Sequence, residues 1–299
     1  MTLIFLVIYK KGGFMRSEKE VMNLIIDFAK SNNKIKAVIM NGSRVNDKIK
    51  KDKLQDYDIV YVSDNVEAFI ENRSWIRYFG DVCIMQTPDE SSIFKVDNKT
   101  LESFGFLVQY FDIRIDFTVC TTKHALNTII TDSLTRIILD KENLLPKINE
   151  ASDEDYILKR PTKEEFKDCC NEFWWVSLYI AKGLYRNELL YAIDHLNLYV
   201  RPMYLLMLKY KAGFDKNYKV SFGKNDKYLP NYLNDNDLTN LKKTYPTLER
   251  DVLWDALFNI CEYFEVTSVE VGNLLGYTVD MVEIENSYYY LNKIYNNEI

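Results

Sequence analysis

Histidine is nearly missing from this 299-residue chain: only His124 and His195 occur, and neither lies in an H-E-x-x-H or H-x-E pattern. Zinc chemistry built on histidine therefore has no ligands. The five cysteines, Cys83, Cys120, Cys169, Cys170 and Cys261, are an odd set without a C-x-x-C pair. Neither a disulfide framework nor a zinc cluster follows, and reduced thiols in a cytoplasmic protein are expected. The one apolar opening, residues 2–9, is too short to span a bilayer and lacks the basic start and small-residue cleavage site of a secretory signal. It reads as an upstream extension or an edge strand, and no membrane partner is expected. Positive charge is also in deficit, since 38 Lys and Arg face 44 Asp and Glu, for a net charge of −6 and a pI near 5.2. That balance disfavours attraction to a phosphate backbone, so no nucleic-acid partner is expected; a cationic small molecule is the better match.

What is present is ordinary globular material. Apolar residues make up 47% and charged residues 27% of the chain, which excludes disordered, collagen-like and low-complexity classes. At roughly 150 residues per domain the length suits two domains. Residues 17–30 carry Val21, Leu24, Ile25 and Phe28 at helical spacing behind a Ser17-x-x-Glu20 capping box. Residues 35–40 form a short β-branched run that enters a turn at Asn41-Gly42-Ser43. Residues 56–62, 82–86, 104–110 and 114–120 read as further strands, and residues 66–79 as a helix. Beyond about residue 150 helical periods take over, first with Phe166, Cys169, Phe173, Val176 and Ile180, then with Leu189, Ile193, Leu196, Val200 and Met203. Pro161 marks a helix start, and Pro202 is expected to kink or split the second run. The pattern predicts an α+β domain followed by a helical one, with the ligand in the cleft between two such domains.

The stretch with chemical content is Gly42-Ser43-Arg44 followed by Asp56-Tyr57-Asp58. Residues two apart on a strand point the same way, so Asp56 and Asp58 present two carboxylates to one side. Two adjacent carboxylates repel unless a cation lies between them, and Mg²⁺ takes one or two carboxylates together with phosphate oxygens. Gly42 opens backbone conformations that let main-chain N–H groups approach an anion, and the Ser43 hydroxyl adds a donor. Asp116, in Arg114-Ile115-Asp116-Phe117, alternates away from the core and adds a third carboxylate, enough for two metal ions. Arg44 either contacts phosphate or pairs with a neighbouring acid.

This order of Gly-Ser, Asp-x-Asp and a later Asp resembles the nucleotidyltransferase superfamily that includes DNA polymerase beta. The longer wording resembles the aminoglycoside 6-adenylyltransferases, the streptomycin-modifying resistance enzymes. It runs from Met15-Arg16-Ser17-Glu18-Lys19-Glu20 through Gln55-Asp56-Tyr57-Asp58-Ile59. It continues through Asp168-Cys169-Cys170-Asn171-Glu172-Phe173-Trp174, Ala192-Ile193-Asp194-His195 and Gly223-Lys224-Asn225. The resemblance implies an α+β fold with a polymerase-beta-like mixed sheet and a C-terminal helical bundle. The implied organisation is an N-terminal extension at 1–14, a nucleotidyltransferase domain at 15–150 and a helical substrate-binding domain at 151–299. It further implies Mg²⁺-dependent transfer of AMP from ATP to a hydroxyl of streptomycin, with pyrophosphate released and resistance conferred. Residues 1–14 precede the usual start of the family.

Asp168, Glu172, Trp175 and Tyr179 share a helix face, and a carboxylate-aromatic face suits a guanidinium. Glu172, Trp175 and Asp194 are the candidate substrate contacts, and Lys224 a mobile charge for the triphosphate. Asp116 or Glu172 is the candidate proton acceptor. Two rival readings keep the fold: transfer to a lincosamide, another antibiotic, a protein or an RNA end, and a catalytically silent nucleotide-binding scaffold.

Overall fold

The computed structural model describes residues 15–93 and 101–298. The expected extension at 1–14, with its apolar run, lies outside the described residues. The chain divides between Asp155 and Tyr156 into two compact units.

In the first unit, α1 (Glu18–Ser31) starts where the sequence places it: the Ser17 hydroxyl accepts from the Glu20 N–H, and the Glu20 carboxylate accepts from the Ser17 N–H at 2.7 Å. It precedes β1 (Ala37–Asn41), a 3₁₀ turn (Gly42–Val45), and β2 (Tyr57–Val62). Then come α2 (Glu67–Glu71), β3 (Val82–Gln86), β4 (Ser103–Tyr110), β5 (Arg114–Cys120), α3 (Thr122–Asn127) and β6 (Thr135–Asp140). The six strands form one mixed sheet in the order β3-β4-β5-β2-β1-β6. Only β2 and β5 pair in parallel among these neighbours.

Alternation divides the sheet. Val38, Met40, Ile59, Tyr61, Ile115, Phe117 and Val119 join the larger core with Val21, Ile25 and Phe28 of α1. Ala37, Ile39, Val60, Val62 and Cys120 form a smaller cluster with Ala125 of α3. Period-two geometry puts Asp58 and Asp116 with this second set.

Two expectations need correction, and one strand is additional. Residues 66–79 are not one helix: α2 ends at Glu71, and a 3₁₀ segment, Arg73–Phe79, restarts behind Asn72, whose side chain accepts from the Ser74 N–H. Strand β2 begins at Tyr57, so Asp56 stands at its mouth rather than within it. And β6 was not foreseen, because its pairing with β1 is visible only in three dimensions.

The second unit is helical: α4 (Lys163–Tyr185), α5 (Leu189–His195), α6 (Arg201–Asp215), α7 (Asp235–Lys243), α8 (Arg250–Leu275) and α9 (Met281–Tyr295). Pro161 precedes α4, whose N-cap is Thr162 in a second capping box with Glu165. The foreseen core stripe of Cys169, Phe173, Val176 and Ile180 is buried. Phe173 stacks on Phe264 of α8 with ring centroids 3.6 Å apart, an arrangement that contributes roughly 0.5–1.5 kcal/mol beyond burial alone. Pro202 lies in the first turn of α6, and a π-helical turn, Leu196–Val200, separates that helix from α5. A proline nitrogen has no N–H for the preceding turn, so the run cannot continue as a regular α-helix. No helix among the described residues is long and apolar enough to cross a membrane. The fold is thus α+β with a mixed six-stranded sheet and nine α-helices among the described residues.

Candidate active site

Strand β1 ends with Asn41 opposite Asp58 of β2 and Thr135 of β6. The chain then turns at Gly42, whose φ is +77°. A Cβ here would stand 2.2 Å from Oδ2 of Asp58, so the missing side chain makes room for that carboxylate. The Gly42 N–H donates to the Leu134 carbonyl at 3.0 Å. That amide is thereby engaged within the fold, and the glycine is required by space and backbone angle.

Ser43 Oγ accepts a 2.9 Å hydrogen bond from Gln55 Nε2. Asn41 Nδ2 donates to Thr135 Oγ1 at 2.6 Å. The oxygens at the other ends of these two amides, Gln55 Oε1 and Asn41 Oδ1, are buried without a hydrogen-bond partner. Each such group costs about 1–3 kcal/mol.

Arg44, considered for phosphate contact, is only 4% exposed. Its Nη2 donates to the Gln55 carbonyl at 2.6 Å and its Nε to the Asp56 carbonyl at 3.0 Å. Its guanidinium lies 3.6 Å over the Tyr57 ring, and Nη1 is 3.5 Å from Glu18. With those commitments Arg44 braces the end of loop 46–56 against α1, and Glu18 is a neighbouring acid of the kind the sequence reading offered as its partner.

Asp58 and Asp116 stand side by side, paired in register across the parallel β2/β5 ladder. Arg114, two residues before Asp116 on the same strand, reaches both ends of that carboxylate, with Nε 2.8 Å from Oδ1 and Nη2 2.7 Å from Oδ2. Its Nη1 is also 3.6 Å from Asp56 Oδ2. The Asp116 hydrogen bonds, helped by the charges of Asp56 and Asp58, hold Arg114 above its ordinary pKa. Burial pushes the Asp56 carboxyl up; Arg114 opposes that shift, Asp116 reinforces it and Arg44 opposes it. Two carboxylates thus pair with one guanidinium, and the charge of Asp58 acts on it from the neighbouring strand.

Among the described residues no group of three or more His, Cys, Asp or Glu side chains is arranged to hold a metal ion. Asp116 is closed on Arg114 instead. The donor set still fits Mg²⁺ in kind: it is all carboxylate oxygen, and a single guanidinium leaves its negative charge in excess. Arg114 is the residue that sequence reasoning passed over. Its two-residue spacing from Asp116 was the available signal.

The remaining candidates lie in the helical unit. Trp175 is 57% exposed, and its Nε1 donates to Tyr179 at 3.0 Å. Glu172 is exposed on the same helix. Asp194 is exposed on α5 beside His195, whose Nδ1 is 2.8 Å from the Tyr191 carbonyl. Lys224 is exposed after Gly223, where φ is +71° and a Cβ would meet the Tyr228 ring at 2.7 Å. Trp174, one residue from Trp175, is core. A groove of about 610 Å³ between α4 and α9 is lined by both tryptophans with Asn171, Asp280, Glu283 and Tyr290.

The sequence profile of the streptomycin adenylyltransferase family matches residues 15–294. The chain belongs to that family. An aminoglycoside 6-adenylyltransferase of Staphylococcus aureus is 37% identical over 277 residues, covering 91% of this chain and 97% of the relative. One from Bacillus subtilis (strain 168) is 38% identical over 265 residues, covering 88% and 93%. The crystal structure of an aminoglycoside 6-adenyltransferase from Bacillus subtilis is similar over 94% of this chain and 99% of that one, at 34% identity and a TM-score of 0.47. As a member of the streptomycin adenylyltransferase family, the chain answers to the likeness read from its motifs.

Proposed function

We propose that this chain transfers AMP from ATP to a hydroxyl of streptomycin, the 6-hydroxyl, releases pyrophosphate, and thereby confers resistance to the drug. The observation that carries the reading is the pairing of Asp58 with Asp116 across β2 and β5, beside the Gly42-Ser43 turn. Ser43 offers a hydroxyl donor to the triphosphate, and Lys224 a mobile positive charge. The acceptor oxygen attacks the α-phosphorus, the bond to the bridging oxygen of pyrophosphate breaks, and the hydroxyl proton passes to a carboxylate, Asp116 or Glu172. Asp56, Asp58 and Asp116 would hold Mg²⁺, two ions in all, and the metal would supply acidification of the attacking hydroxyl and charge neutralisation for the leaving pyrophosphate.

Glu172, Trp175 and Asp194 supply carboxylates and an aromatic face to the guanidinium groups of the drug. On this reading residues 15–150 form a polymerase-beta-like nucleotidyltransferase domain and residues 151–299 a helical substrate-binding domain. A cytoplasmic location suits five cysteines that are all free thiols.

Mass spectrometry of streptomycin after incubation with the protein, ATP and Mg²⁺ tests the proposal. The expected product carries one added AMP. Unmodified streptomycin, with label from ATP appearing on another acceptor of a panel, overturns the substrate assignment.

A further inference from the structure

We propose that Gln55 is a positioning residue which turns the Ser43 hydroxyl proton toward the phosphate of the bound nucleotide. The inference rests on the nucleotide reading of the Gly42-Ser43 turn and adds a residue that reading does not use. A hydroxyl has one proton and two lone pairs. Gln55 Nε2 donates to Ser43 Oγ at 2.9 Å and so occupies a lone pair on its own side. The proton must then point elsewhere, and Ser43 presents a donor to whatever lies beyond the turn.

The amide cannot drift from this place. The Gln55 carbonyl accepts from Arg44 Nη2 at 2.6 Å, the next carbonyl accepts from Arg44 Nε at 3.0 Å, and the guanidinium is sandwiched on Tyr57 at 3.6 Å. A buried cation therefore fixes the backbone that carries the amide. The amide oxygen of Gln55 is meanwhile buried with no partner. The hydrogen bond donated to Ser43 is therefore the polar contact this amide supplies. An anion is the ligand for which this polarity matters, because a phosphate oxygen needs a donor and is repelled by a lone pair. Gln55 itself contacts no reacting atom.

A double-mutant cycle separates action through Ser43 from action of any other kind. ATP affinity is measured by calorimetry with Mg²⁺ present, on the full chain and on its Ser43→Ala, Gln55→Met and doubly substituted forms. Thermal unfolding of each form is followed in parallel. Ser43→Ala is expected to weaken ATP about tenfold, the scale of one hydrogen bond to a charged group. Gln55→Met is expected to weaken it about threefold or more when Ser43 is present, and less than about twofold when Ser43→Ala is already in place. The KM for the antibiotic stays unchanged, which a general loosening of the fold would not allow. Gln55→Leu replaces Gln55→Met in the cycle should the latter not unfold cooperatively. Equal losses in both backgrounds, or no loss in either, overturn the inference while leaving the nucleotide reading intact. Failure of the wild type to bind ATP overturns the nucleotide reading and this inference with it.

Discussion

Gly42 and Asp58 occupy one volume. At position 42, where φ is +77°, a β-carbon would come within 2.2 Å of an Asp58 carboxylate oxygen. Gly42→Ala is therefore expected to lose roughly 1–2 kcal/mol from the left-handed backbone alone and to displace Asp58 as well. Thermal unfolding should register the first effect. Loss of adenylyl transfer beyond that explained by unfolded protein should register the second.

Asp58→Asn keeps the shape of the side chain and removes one of three neighbouring negative charges. Stability is expected to hold or rise, because carboxylate repulsion is relieved. Transfer is expected to fall by more than about a hundredfold, beyond the range typical of groups that only support a metal ligand. Wild-type turnover by a purified, folded Asp58→Asn protein would contradict the role given to this carboxylate.

Arg114→Met takes away the guanidinium that joins Asp116 to Asp56. The melting temperature should fall at neutral pH, by about 2–4 °C for each kcal/mol lost in a chain of this size. Asp56, already raised by burial, loses the opposing influence of Arg114 and rises further. A carboxyl raised in the folded state favours folding at low pH, and that contribution disappears as the pH climbs through its folded value. The deficit of Arg114→Met should therefore shrink on acidification, and Mg²⁺ should raise its melting temperature more than that of the wild type.

Arg16 holds Asp112 in a two-bond fork, with Nε 2.5 Å from Oδ2 and Nη2 2.7 Å from Oδ1, and its third nitrogen donates to the Phe79 carbonyl. The hydrogen bond from Arg16 holds the Asp112 carboxyl below its ordinary value of 3.8. Stability from this pair is complete above that value and is lost as the pH falls through the depressed one. Asp112→Asn should melt below the wild type at pH 7, with the gap closing under strongly acidic conditions.

Trp174 and Trp175 are adjacent in sequence and opposite in role. Trp174 packs against Phe173, Phe264 and Tyr288. Trp174→Ala is expected to cost about 3–5 kcal/mol. Trp175→Ala, at an exposed position, should stay within about 0.5 kcal/mol of the wild type. On the proposed substrate, loss of a cation–π contact worth about 0.5–1 kcal/mol would weaken streptomycin binding a few-fold. Calorimetric titration with the drug checks the pair.

Much of this architecture was legible in the sequence because local chemistry dictates it. The Ser17 and Glu20 cap starts α1, and alternation along residues 114–120 buries Ile115 and Phe117 while leaving Asp116 on the other face. What escaped depends on partners far along the chain. Strand β6 is a short, half-buried run whose identity comes from pairing with β1. Arg44 looks like any cation beside a glycine turn until its burial under Tyr57 is seen. Arg114 reads as one more charge beside the Asp116 motif until its fork onto that carboxylate is seen, although its two-residue spacing puts it on the same face. The break at Glu71 also escaped, since Asn72 starts a new turn where hydrophobic spacing alone suggests continuation.

The parallel β2/β5 ladder carries a consequence for quality control. Were β5 to slip by one residue against β2, Asp58 would face Ile115 or Phe117 in place of Asp116, and Ile115, Phe117 and Val119 would leave the larger core for the opposite face of the sheet. The carboxylate pair therefore cannot assemble on a misthreaded sheet. If the pair carries the proposed adenylyl transfer, turnover would report that two segments remote in sequence have found their single correct alignment.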